Sequence, residues 1–456
     1  MIIEPISPVS TPTLIDALSR WALASGAPWD AVAGTAAGVV CLDSSLVTDT
    51  LGRWTLAAAM PVATLACTAG QDPFGAVGRL LARGREVAPT DLPFCGGAIG
   101  IWGYDCAEAS GATHPVRDGD KLRAWWGFYD TFVAIDHHTQ RAWVASWGLA
   151  RPDAEPDSGL ARARIAAILA ELPAPVSTDR CVPQTAPRVA PAITQAQHGQ
   201  MIDAILEDIA EGEFYQACAT YPMTGPRGGT ALELFHTLRE RTPAPFAAYL
   251  APGHGMSLAG ASPERFLDLR RGRVHARPMK GTRPRGATAA DDLRLRAELR
   301  ESAKDRAENV MIVDLMRNDL GRVCTIGSVR VPALYTVETY ATVHQLTSTI
   351  TGQLRPDVPP WELARACFPP GSMTGAPKLR AMERLAQLEH AGRGWYSGVA
   401  GYIDVRGEMD LSVVIRTALV SEAGLRWHVG GGIVADSTPE AEWRESLDKC
   451  PAWLRE

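Results

Sequence analysis

The chain has no uninterrupted apolar run of about 18 residues, the length needed to cross a bilayer as a helix, which removes the helical membrane-protein class. Its opening, Met1-Ile2-Ile3-Glu4-Pro5, has no basic segment ahead of an apolar one, so a cytoplasmic location is expected. It also has no basic run. With 45 Lys and Arg against 51 Asp and Glu the net charge is -6, which argues against nucleic acid or an anionic membrane as the main partner and leaves small anions to local Arg and Lys. Nine cysteines is an odd number, and none forms a Cys-x-x-Cys pair, so neither a disulfide framework nor a zinc ribbon is indicated. Buried thiols are expected instead. At 46% hydrophobic and 21% charged over 456 residues, the composition excludes a disordered chain and is long enough for two domains or one large one.

Residues 172–193 carry Pro173, Pro175, Pro183, Pro187 and Pro191 among small polar residues and read as a linker between an N-terminal region, 1–171, and a second region, 194–456. Thr194 and Gln197 fit a capping box, with Ile202, Ile205, Leu206 and Ile209 at helical spacing behind them. Helices are also predicted over roughly 291–317 and 377–387. Short apolar runs at 246–250, 256–259, 266–269 and 274–277, with turns at Pro252-Gly253 and Arg271-Gly272, read as antiparallel strands. Further strands are expected at 398–405, 411–420 and 425–429. Runs of strands interrupted by helices, without strict alternation, favour an α+β fold.

Several residues are poorly explained by structure alone. Lys280 is predicted between a strand and a Gly/Pro turn, and Arg277, Arg283 and Arg285 beside it would disfavour its ammonium form and make it nucleophilic; a solvated lysine at a turn is the plainer reading. Asp305 and Glu308 lie on one helix face, as do Glu442 and Glu445 if that segment is helical. Brought together, these carboxylates need a cation such as Mg²⁺ between them; kept apart, they are solvated faces paired with Lys304, Arg306, Arg444 and Lys449. Arg416 continues the apolar run Val413-Val414-Ile415 and needs an anion, either a substrate carboxylate or a structural Asp or Glu. Gly430-Gly431-Gly432 would let backbone N–H groups approach an oxyanion, or would serve any tight turn. Glu264 is either a carboxyl kept neutral for acid chemistry or a salt-bridge partner of Arg265 or Arg306.

The order Ala261-Ser262-Pro263-Glu264-Arg265, Arg277-Pro278-Met279-Lys280-Gly281, Asp305-Arg306-Ala307-Glu308-Asn309, Gly375-Ala376-Pro377-Lys378, Ile415-Arg416-Thr417, Gly430-Gly431-Gly432 and Glu442-Trp443-Arg444-Glu445 resembles the chorismate-utilising enzymes. The resemblance implies two large facing antiparallel sheets with outer helices and a cleft between the sheets, fed by strands from both ends of the chain. It implies that Arg416, Gly430 and Gly432 hold the carboxylates of chorismate, with Tyr396, His344 and Lys449 lining the site. Glu264 is then the general acid for the departing ring hydroxyl, and Glu308, Glu442 and Glu445 hold Mg²⁺. Isochorismate-forming members carry Lys where this chain has Gln216, and anthranilate-forming members typically carry Ala where it has Lys280. The pair Gln216 and Lys280 resembles the branch in which lysine attacks the ring and ammonia displaces it, giving 4-amino-4-deoxychorismate on the route to 4-aminobenzoate and folate. Cys95 lacks the Gly-x-Cys-x-Gly setting of a glutaminase nucleophile, so ammonia is expected from a separate glutaminase subunit. Cys218-Ala219 and Pro370 depart from the family pattern. Ser44 and the segment Leu51 to Trp54, Arg53 included, resemble a tryptophan-binding segment, although Ala247 replaces a serine there. Anthranilate synthase component I and a non-catalytic chorismate- or tryptophan-binding regulatory subunit are the rival readings.

Overall fold

The computed structural model describes residues 1–48, 51–81, 85–88, 90–111, 121–172, 187–340 and 343–456. Most of the Pro-rich stretch 172–193 lies outside them. Its described end joins the body: Ala190–Pro191 pairs with the strand Gln216–Gly225, and Val189 bridges to Arg455.

Among the described residues the strands form a twelve-stranded sheet, a ten-stranded sheet and a two-stranded one of Trp29–Asp30 and Thr35–Ala36, antiparallel in every strand pairing. Each of the two large sheets takes strands from both regions. Val40–Asp43 pairs with Phe246–Leu250 in the larger sheet, and Gly97–Trp102 pairs with Val399–Asp404 in the smaller. The strand period of two sorts side chains between faces. In Phe246–Leu250, Ala247 and Tyr249 pack toward the helix Ala231–Arg241 side, whereas Ala248 and Leu250 enter a core shared with Ile99, Ile101 and Trp125 of the other sheet. That shared core glues the sheets face to face. Full burial of each such side chain contributes about 1.5–3 kcal/mol, and helices cover the outer faces.

The helix Gln195–Ala210 starts at Thr194 with both halves of the predicted capping box formed. The stretch 291–317 is not one helix. Ser302, at φ -61° and ψ 111°, ends Ala289–Glu301 and caps Ala303–Gly321, its hydroxyl accepting from Asp305 N. A serine can compete for backbone donors in this way, and helical periodicity continues across such a break unmarked.

The strand predicted over 411–420 is likewise two. Met409–Val413 belongs to the ten-stranded sheet and Thr417–Ser421 to the twelve-stranded one, with Arg416 at φ 51° in the crossing. Upstream, the chain crosses the other way between Met256–Ser262 and Arg265–Arg270. The two crossings are bonded together: Ala261 N donates to Arg416 O at 3.0 Å, Val413 N to Glu264 O at 3.0 Å, and Ser262 Oγ to Val413 O at 2.6 Å. Glu264 and Arg416 therefore lie on the two paired crossings, Glu264 opposite Val413 and Arg416 opposite Ala261.

Candidate active site

Lys280 lies within the strand Met279–Pro284, at the end of the ten-stranded sheet, and not at a strand-to-turn junction. Its register against Val343–Gln353 slips between Lys280 and Thr282. Gly281 makes that bulge at φ +79°, and a Cβ there would stand 2.8 Å from the Asp305 carboxyl carbon. The bulge needs glycine for both reasons. The cationic surroundings expected for Lys280 are not present, because each neighbouring arginine has its own carboxylate. Arg277 pairs with Glu338, Arg283 with Glu298 and Asp305 at 3.1 Å, and Arg285 with Asp292 at 2.7 Å. Lys280 instead bears electrostatically on Glu264, Glu308 and Glu445.

Glu264 is buried and meets neither salt-bridge alternative. Arg265 holds Asp410 through two bonds of 3.0 and 2.9 Å, and Arg306 lies 4.6 Å over the Tyr335 ring. Burial raises the Glu264 carboxyl from 4.5 to about 7, against the opposing pull of the Ser372 hydroxyl and the Lys280 charge. The Ser372 hydroxyl bears on the carboxyl, while its Oγ is buried with no formed hydrogen bond. Such a carboxyl holds a proton at neutral pH and can give it up, as a general acid must.

The strand Gly424–Ile433 runs along the strand Gln216–Gly225, and its glycines are places of close approach. A side chain at Gly432 would meet Gln216 Nε2 at 2.5 Å and Lys280 Nζ at 3.4 Å; one at Gly431 would meet Glu442 Oε2 at 2.9 Å and Lys449 Nζ at 3.6 Å. Gln216, predicted only as a discriminating position, is fully buried, and both its amide atoms are unpartnered. A buried amide left unsatisfied is costly, commonly 1–3 kcal/mol, and points to a missing ligand or water. Lys449 Nζ donates to Gly430 O at 2.7 Å and to Glu445 Oε1 at 2.9 Å.

Arg416 donates from Nη1 to Lys449 O at 3.2 Å, and no carboxylate among the described residues pairs with it. Burial lowers its affinity for the proton, with the nearby Tyr396 opposing. A guanidinium in that state favours an arriving anion. The Tyr396 ring stacks on His428, centroids 4.8 Å apart. His344 is buried on Val343–Gln353, with Nε2 3.0 Å from Asp292 and Nδ1 2.9 Å from Thr339, so both ring nitrogens are engaged away from Lys280 and Glu264.

Glu308 lies on Ala303–Gly321, and Glu442 and Glu445 lie on Pro439–Asp448, a helix started by Thr438 and Pro439. Trp443 stacks on Tyr221 at 5.4 Å and pins that helix to the strand bearing Gln216. Burial raises Glu308 and Glu442, and the Glu445 charge adds to both, while Lys449 holds Glu445 down. Three carboxylates that repel one another suit a hard divalent cation. Among the described residues, no three metal-ligating side chains converge closely enough to form a cage. Asp305 is committed to Arg283 and to capping its helix.

Ser44 and Arg53 lie elsewhere, on a cavity of about 280 Å³ that also meets Trp54, Ala247, Arg265 and Asp410. Ser44 Oγ donates to Trp54 O at 2.8 Å, and Arg53 pairs with Asp136 at 2.7 Å. Cys95 is fully buried and its thiol is pushed up to about 12 by burial, which disqualifies it as a nucleophile. The eight described cysteines are all buried and free, and among the described residues no helix is long and apolar enough to cross a membrane.

Comparison with known proteins places the chain by sequence and by fold. The chain is 42% identical to an aminodeoxychorismate synthase of Streptomyces griseus over 81% of this chain and 51% of that protein. It is 37% identical to aminodeoxychorismate synthase component 1 of Escherichia coli strain K12 over 85% of this chain and 83% of the other. The chain spans about half the length of several of the curated relatives it matches. Its fold superposes on the crystal structure of anthranilate synthase component I from Streptococcus pneumoniae TIGR4 with a TM-score of 0.80 at 26% identity, covering 90% of this chain and 94% of that one. Residues 43–455 match the family model described as chorismate binding enzyme, and the chain belongs to that family.

Proposed function

We propose that the chain aminates chorismate to 4-amino-4-deoxychorismate, using ammonia from a separate glutaminase subunit, for 4-aminobenzoate and folate synthesis. The observation that carries this reading is the convergence of Lys280 Nζ and the unpartnered Gln216 amide on the Gly432 backbone, with Glu264 bearing on the same lysine. In this mechanism Arg416 and the Gly430–Gly432 strand hold the substrate carboxylates, and Tyr396 and Lys449 shape the site, while His344 stays bound to Asp292 and Thr339. Lys280 Nζ forms a bond to a ring carbon while the ring hydroxyl leaves as water, taking the proton of Glu264. Ammonia then bonds to the carbon that lost the hydroxyl, and the bond to Lys280 breaks, returning the free amine. Gln216 is uncharged and cannot act as a base toward water, which leaves the route to ammonia.

Mg²⁺ would be held by Glu308, Glu442 and Glu445, directly or through water, once drawn together. When bound it supplies positive charge to a substrate carboxylate and relieves the repulsion among the three glutamates. The ammonia is taken to come from a partner, because the buried Cys95 thiol, pushed up to about 12, is inert as a glutaminase nucleophile. Mass spectrometry of the product formed from chorismate, ammonium and Mg²⁺ decides the assignment: 4-amino-4-deoxychorismate supports it, and anthranilate transfers it to the rival enzyme.

A second reading, a tryptophan- or chorismate-binding regulatory subunit, is favoured by the cavity beside Ser44 and Arg53. Calorimetric binding of tryptophan with no turnover of chorismate would establish it.

A further inference from the structure

At the end of the helix Lys378–Leu388 stands an ion pair that none of the proposed chemistry uses. Arg393 is 2% exposed and Glu389 5%, with Arg393 Nη2 2.6 Å and Nε 2.9 Å from the Glu389 carboxylate. The pair also bonds outward. Arg393 Nη2 donates to Cys218 O at 2.7 Å, Nη1 to Met373 O at 2.6 Å and to Ser397 Oγ at 3.3 Å, while Glu389 Oε1 accepts from Thr220 N at 3.0 Å and Thr220 Oγ1 at 2.8 Å. The guanidinium lies 4.5 Å from the centre of the Tyr104 ring, which closes its remaining face.

Each partner adjoins a different wall of the site. Cys218 and Thr220 share the strand of Gln216 and pair with Gly432 and Gly430. Met373 follows Ser372, the residue beside Glu264, and Ser397, at φ 63°, follows Tyr396. The Gln216 strand and the segment after Ser372 are also joined by main-chain bonds, such as Cys218 N to Thr374 O at 2.7 Å, and by the pairing of Gln216 with Ala376. A planar guanidinium with five donors in a fixed fork can bond three walls and the Glu389 carboxylate at once, more partners than the three donors of a lysine ammonium serve.

We propose, resting on the reading of this cleft as the chorismate-aminating site, that Arg393 held by Glu389 is a positioning residue that keeps the Gln216 strand, the Ser372 turn beside Glu264 and the Tyr396 segment in mutual register. The test is hydrogen exchange by mass spectrometry on wild type and Arg393→Lys, combined with kcat and KM for chorismate. The expected result is exchange at least about tenfold faster in both 216–220 and 371–374, unchanged exchange in the distant strand Trp54–Ala58, and a loss confined mainly to kcat. Exchange that rises evenly everywhere, or local exchange and kcat that both match wild type, overturns the proposal. If Arg393→Lys does not fold, Glu389→Gln, which keeps an acceptor for Thr220, carries the same test with a smaller effect in the same two segments. A wild type that forms no aminated product defeats the proposed reaction, while the exchange pattern still decides the role of Arg393.

Discussion

Glu264 shows how a single residue can trade stability for chemistry. Its carboxyl is raised from 4.5 to about 7 in the folded chain, so the unfolded chain releases the proton first and stability falls as pH rises from about 4.5 to 7. Below that window the contribution is fully present. Glu264→Gln removes the titration, and at pH 8 it is predicted to raise stability by up to about 3 kcal/mol, read as the denaturation midpoint, while abolishing turnover. A loss of stability at pH 8 with none at pH 4 would contradict it. In the wild type the protonated acid is depleted above pH 7, so kcat should fall on the alkaline side, and a rate still rising through pH 9 would remove Glu264 from the acid role. Lys280 calls for a different test, since its surroundings are carboxylates and not the free arginines its neighbours suggest. A substrate-derived mass should be trappable on Lys280 by quenched intact-protein mass spectrometry and peptide mapping, and Lys280→Ala should lose it together with the rate. An adduct elsewhere, or wild-type rates in Lys280→Ala, would return anthranilate synthase to first place.

At the scale of elements, the glycine strand is the most sensitive part of the site. Gly432 has no left-handed backbone to preserve, so Gly432→Ala should fold, but its methyl would lie 2.5 Å from Gln216 Nε2 and must push that amide aside. We predict a loss of kcat/KM of about tenfold or more, measured with ammonium, and a thermal midpoint within a few degrees of wild type. Helices were the more legible elements: the capping box at Thr194 and Gln197 formed as predicted, because a cap is a contact between near neighbours. The break at Ser302 was hidden, since apolar spacing and charge run on through it. The split of 411–420 was hidden for a related reason. Val413, Val414 and Ile415 read as continuous strand, and the left-handed turn at Arg416 is imposed by the exchange between sheets, which leaves no mark in local composition.

For the whole molecule, the expected outcomes concern what must arrive from outside. The isolated chain should use ammonium and not glutamine; glutamine-dependent turnover by this chain alone would contradict the need for a partner. Excess chelator should abolish turnover and leave the fold intact, and Glu445→Gln should do the same, if Glu308, Glu442 and Glu445, of which Glu445 bears on both others, share the proposed cation. Full activity in chelator would end the metal proposal. The cavity beside Ser44 shares Arg265 with the crossing that carries Glu264, so any ligand bound there touches a residue adjacent in the chain to the proposed acid.

The chain's own order of residues settled an α+β fold and the family, and its short motifs singled out Lys280, Glu264, the glycines and Arg416 as candidates, because such motifs carry chemistry that is local. What it could not settle was their company. Whether Arg277, Arg283 and Arg285 act on Lys280 or on Glu338, Glu298, Asp305 and Asp292 depends on which strands and helices meet, and electrostatic partners are chosen by distance in space. The orphaned Gln216 amide and the Arg393–Glu389 clamp are likewise products of long-range strand pairing, whereas the feeding of both sheets from residues 1–171 and 194–456 was expected from the family resemblance. An Arg four residues after a Glu reads as an ordinary helix-surface pair; burial against three other segments, decided only in the tertiary structure, makes it a fixed point of the site.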